Sequence, residues 1–80
     1  MTNVTEEVRS VVSKIMRVDM VEIGDSSSPA TLPSWDSLHH MKLILALEER
    51  FGLTFTEDQI VHITTVARIV STIGGMLTPS

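Results

Sequence analysis

Trp35-Asp36-Ser37-Leu38-His39-His40-Met41-Lys42-Leu43-Ile44-Leu45-Ala46-Leu47-Glu48-Glu49-Arg50-Phe51-Gly52 is the stretch on which the reading of this chain turns. Asp36 has a short carboxylate suited to accept from the free N–H groups that open a helix. Gly52 tolerates the left-handed backbone that closes one. The spacing predicts a helix over 36–51. At about 100° per residue, Leu43, Ile44, Leu47 and Phe51 share one side, and Leu38, Met41 and Leu45 lie on roughly the opposite side. One apolar stripe seats a helix in a small bundle. A second is either buried too, which makes this the central helix, or offered to a partner. Periodicity leaves the two readings level, and Met41, an adaptable side chain, leans toward the partner surface.

Upstream of this helix, residues 19–35 read as a long loop. Gly24, Asp25, Ser26, Ser27, Ser28, Pro29 and Pro33 are turn formers and helix breakers. Met20, Val21, Ile23 and Leu32 are expected to pin it to the core. So long a loop in so small a domain points to function. Before it, Val4, Val8, Val11, Val12 and Ile15 repeat at helical spacing and predict a first helix over about 3–17. Asn3 and Glu6 stand at capping-pair spacing, with Glu6 expected to reach back to the cap.

Downstream, Thr56 and Gln59 have the spacing of a capping box and open a short third helix over about 56–61. Val66, Ile69, Val70 and Ile73 predict a fourth over about 65–74, opened by Thr64 or Thr65 and ended by Gly74 and Gly75. Residues 76–80 are expected to fray. No strand pattern stands out. The expected fold is all-α: a small four-helix bundle of three main helices and a short third, with a long loop between helices 1 and 2. All 80 residues are taken as one domain.

Composition narrows the function. A chain this short buries a modest core and has little room for a walled active site. With no cysteine it has no disulfide, thiolate metal site or cysteine nucleophile. The formal charge is −4, and six basic residues are thinly spread. That argues against nucleic acid, whose binders concentrate Lys and Arg on one face. No apolar run is long enough to span a bilayer, so no membrane association is expected. The N-terminus lacks the pattern of a signal peptide. Adjacent His39 and His40 diverge around the helix and have no zinc-type spacing with His62, so no metal site is expected. The three histidines are expected to be exposed and solvated. Asp36, Ser37 and His40 could meet on a helix, but a hydrolase also needs an oxyanion hole and a pocket, for which there is no sign. No residue is singled out as catalytic.

Ser37 follows the cap, at the positive end of the helix dipole, where a phosphate ester on its oxygen would be favoured. A plain capping role is the commonest use of a serine at a helix start and, on position alone, the favoured one. The run Trp35-Asp36-Ser37-Leu38 resembles the attachment motif of acyl carrier proteins. Leu43 to Gly52 looks like that family's second helix and its end, and Ile63-Thr64-Thr65-Val66 like the lead-in to its last helix. The resemblance covers about Val4 to Ile73.

The resemblance implies a carrier rather than an enzyme, with 4′-phosphopantetheine attached to Ser37 by a phosphopantetheinyl transferase and Asp36 helping to hold Mg²⁺ in that transfer. The arm would carry acyl, polyketide or aminoacyl groups as thioesters. The implied partners are the transferase, a loading ligase and biosynthetic enzymes such as ketosynthases, met through Leu38, Met41 and Leu45 with His39 and Lys42. Leu47, Phe55, Ile60 and Ile63 would face the core or a sequestered chain. Carriers of bulk fatty-acid synthesis have acidic residues early in this helix. His39, His40 and Lys42 stand there instead, and Trp35 replaces a small residue. Both departures point to a free-standing carrier of a dedicated pathway. The lack of cysteine fits a cytoplasmic location, and a monomer is the default expectation. The competing reading is a small helical protein–protein interaction module without a prosthetic group.

Overall fold

The computed structural model describes residues 3–77. Among them the chain forms four α-helices, α1 (Val4–Met16), α2 (Ser37–Phe51), α3 (Glu57–His62) and α4 (Val66–Leu77), with a 3₁₀ turn at Met20–Glu22 and no strand. The chain is all-α. Helix α1 packs against both α2 and α4. The core is continuous: Val8, Val12 and Met16 from α1, Leu43, Ile44 and Leu47 from α2, Val66, Ile69 and Ile73 from α4, closed by Ile23, Leu32, Trp35, Phe55 and Ile63 from the connections.

Each helix begins on a side chain that satisfies its first N–H groups. Asn3 accepts from Thr5 and Glu6 at 3.0 and 3.4 Å. Asp36 accepts from His39 at 2.8 Å. Thr56 and Gln59 exchange bonds of 3.2 and 2.9 Å as a full capping box. Thr65 takes the Arg68 N–H at 3.1 Å. Helix α2 ends on Gly52, at φ 64°. Helix α1 ends on Arg17 at φ 57°, a conformation few residues other than glycine adopt.

The structure corrects four expectations. Glu6 does not reach back to the cap; its carboxylate meets Arg9 at 3.4 Å. Helix α4 does not stop at Gly74 and Gly75 but continues to Leu77. A glycine costs a helix only about 1 kcal/mol; buried Ile73 and core-packed Met76 hold this turn in place. Met76 and Leu77 are therefore helical, and 78–80 lie outside the described residues. In the loop, Ile23 and Leu32 are buried, whereas Val21 is 86% exposed.

Hydrogen bonds hold that loop alongside the buried Ile23, Leu32 and Trp35. Arg9 donates to the carbonyls of Ile23 (2.9 Å) and Met20 (2.8 Å). Ser34 donates to the Met16 carbonyl at the end of α1. The N–H groups of Val66 and Ala67, at the open end of α4, donate to the carbonyls of Ser27 and Asp25. The loop thus caps α4 and delivers Trp35 and Asp36 to the start of α2.

Candidate functional site

Ser37 is the first residue of α2, and Asp36 rather than Ser37 is its cap. Ser37 is exposed. Its hydroxyl enters no hydrogen bond among the described residues, so a plain capping role for it is absent. An open hollow of about 360 Å³ lies beside it, lined by Pro29, Trp35, Asp36, Ser37, His40 and Thr64.

Asp36 does two things. Its Oδ1 accepts the backbone N–H of His39 and also receives the His39 ring Nδ1 at 2.8 Å. The backbone bond first, then the ring bond, holds the carboxyl below its ordinary value of 3.8. Asp36 is therefore an anion at neutral pH, next to the exposed hydroxyl.

His40 departs from expectation. It is half-buried rather than solvated. The Trp35 indole Nε1–H donates to its Nδ1 at 3.0 Å, and its Nε2 donates to the Ile60 carbonyl at 2.9 Å. An indole N–H can only donate and a carbonyl can only accept, so both bonds require the neutral ring with its proton on Nε2. With both nitrogens engaged, His40 cannot serve Ser37 as a base, and the Ser37–His40–Asp36 hydrolase arrangement does not form. His62 turns elsewhere, to its own helix at the Asp58 carbonyl. The three histidines thus have three unrelated partners.

The second stripe of α2 lies open. Leu38 and Leu45 are each 62% exposed and Met41 48%, and Val61 of α3 is 70% exposed. Lys42 is exposed as well, and His39 is half-buried against Asp36. Leu47, Phe55 and Ile63 are buried, while Ile60 packs half-buried on the core. Sequence reasoning missed Trp35 as part of the site. Its position in a presumed loop hid its burial; the five-residue spacing of a donor-only indole to His40 was the available signal.

The profile of the family described as "Phosphopantetheine attachment site" matches residues 6–73. The chain belongs to this family. The family's members carry 4′-phosphopantetheine covalently, and this chain is a phosphopantetheine carrier. It is 29% identical over 70 residues to an acyl carrier protein of Buchnera aphidicola subsp. Schizaphis graminum, covering 88% of this chain and 89% of that one. It is 31% identical over 75 residues to the 3-methylorcinaldehyde synthase of a Phoma species, covering 94% of this chain but only 3% of the synthase. Its fold matches that of a putative acyl carrier protein from Mycobacterium tuberculosis with a TM-score of 0.83, at 21% identity, over 94% of this chain and 100% of the other. The residues at the head of α2 fit the prosthetic group: an unengaged, exposed serine hydroxyl, a neighbouring carboxylate and an open hollow occur together. Among the described residues no helix is long and apolar enough to cross a membrane.

Proposed function

We propose that Ser37 is the attachment residue and that this carrier presents its cargo to a dedicated biosynthetic pathway. The observation that carries the reading is the free hydroxyl of Ser37 on the first turn of α2, beside the hollow. In the transfer, the Ser37 oxygen forms a bond to the β-phosphorus of coenzyme A. The pyrophosphate bond breaks, 3′,5′-adenosine diphosphate leaves, and the serine proton passes to the transferase. Asp36, an anion beside the hydroxyl, would help to hold the Mg²⁺ of the transferase complex, which would offset phosphate charge during the transfer. Both His39 bonds fall on Oδ1, which leaves Oδ2 without a hydrogen-bond partner among the described residues. The thiol of the bound arm supplies thioester chemistry for acyl, polyketide or aminoacyl groups.

Leu38, Met41 and Leu45, with His39 and Lys42 at their edge, form the docking face for a phosphopantetheinyl transferase, a loading ligase and enzymes such as ketosynthases. A face edged by His39 and Lys42, where bulk fatty-acid carriers are acidic, suits partners other than theirs. The protein is itself non-catalytic, a monomer of the cytoplasm, and a substrate of its partners.

The test is intact mass after incubation with coenzyme A, Mg²⁺ and a broad-specificity phosphopantetheinyl transferase. Addition of one phosphopantetheine to the wild type and none to folded Ser37→Ala is expected. Addition to Ser37→Ala would place the arm elsewhere. No addition to folded wild type, across several transferases, would remove the reading.

A further inference from the structure

Trp35 lies two residues before Ser37, yet it is only 2% exposed and belongs to the core. Its ring lies nearly parallel to that of His40, with an interplanar angle of 22° and centroids 6.2 Å apart. The Trp35 indole, the His40 ring and the Ile60 carbonyl form one unbroken chain of hydrogen bonds. It runs from the residue leading into α2, across the first turn of α2, to α3. Ile60 supplies one of the last four carbonyls of α3, which a short helix cannot pair within itself. His40 therefore closes the end of α3 as well as fixing the indole.

Trp35 and His40, two members of the relay, both line the Ser37 hollow. The core side chains of Leu47, Phe55 and Ile63 are already packed in the same cluster as the indole. An alkyl chain on an arm at Ser37 gains by leaving water with every methylene. To enter between α2 and α3 on this side it must displace a packed indole and break two hydrogen bonds. Those bonds have no replacement in an alkyl chain, and each orphaned group would be left unsatisfied.

We propose that the Trp35–His40–Ile60 bar shuts the α2–α3 gap, so that this carrier keeps its cargo outside the helix bundle and is matched to short or polar acyl and aminoacyl groups rather than to long alkyl chains. This rests on attachment at Ser37. Cargo held outside stays within reach of partner enzymes and of water. A short or polar group loses little by that exposure, whereas a long alkyl chain would remain unshielded.

The experiment loads the wild type with acetyl- and octanoyl-phosphopantetheine from the corresponding coenzyme A thioesters, confirms each by intact mass, and compares Tm and the methyl resonances of Leu47 and Ile63. The expected result is the same Tm for both forms and unmoved methyl resonances. In Trp35→Ala the octanoyl form should melt above the acetyl form, with shifts at both residues. Trp35→Leu, which keeps an apolar side chain there, replaces that variant where it does not fold. A wild-type Tm that rises with chain length together with shifted core methyls overturns the bar while leaving Ser37 attachment intact. A folded Trp35 variant with no dependence on chain length overturns the role given to Trp35. Failure of both groups to load on folded wild type sinks the Ser37 reading and this one with it.

Discussion

The two apolar faces of α2 are built from almost the same side chains and meet opposite environments. Leu43, Ile44 and Leu47 are at most 2% exposed, while Leu38, Met41 and Leu45 are 48–62% exposed. Residue type does not separate them, since both sets are leucines with one further aliphatic or thioether side chain. The neighbours do. Helix α1 covers the first face, whereas the short α3 and the loop leave the second open. The same chemical surface is thus spent on stability on one side and left for association on the other.

The largest expected effect breaks that contrast directly. Leu47→Ala should cost about 2–5 kcal/mol in chemical denaturation, because it leaves a cavity in a packed core. Leu45→Ala, one helical half-turn away, should stay within about 0.5 kcal/mol. Comparable losses at both would mean that the second face is covered.

His40 belongs to neither face and sharpens their boundary. Its removal leaves the buried Trp35 N–H and the Ile60 carbonyl without partners. His40→Ala should therefore destabilise by about 1–3 kcal/mol, and hydrogen exchange of the α3 amides should speed up. Unchanged exchange in α3 would show that the relay does not hold that helix.

The open face should show itself in kinetics rather than stability. The double variant Met41→Ala with Leu45→Ala should lower the transferase's kcat/KM by about ten-fold, equivalent to about 1.4 kcal/mol, with Tm nearly unchanged. Wild-type turnover would mean that the transferase docks elsewhere.

The smallest effect concerns the cap between the faces. Asp36 has a folded value below the ordinary 3.8. A depressed carboxyl contributes stability that is present above its ordinary value and lost as pH falls through the lower folded one. Acid titration of stability should therefore be shallower in Asp36→Asn than in wild type below about pH 4. An identical acid limb in both would deny the carboxylate its part in the cap.

Much of this was legible because it is local. Asp36 and Gly52 bracket α2, and Thr56 with Gln59 opens α3, since a cap needs only residues a turn apart. The end of α4 was not, because Gly74 and Gly75 stop an isolated helix while the packing of Ile73 and Met76 continues this one. The loop was half legible. Its apolar residues signal attachment, but Val21 points outward, and the bonds from Arg9 and from the N–H groups of α4 join residues distant in the chain.

By itself, the sequence determined that there are four helices, the caps that open α2 and α3, the two stripes of α2 and the position of Ser37 at a helix start. All of these depend on periodicity and on side chains reaching their own backbone. Only the tertiary structure decided which stripe is covered and that Trp35 is locked through His40 onto Ile60. Burial and long-range hydrogen bonds depend on what other segments bring to a residue, and no pattern along one helix contains that information.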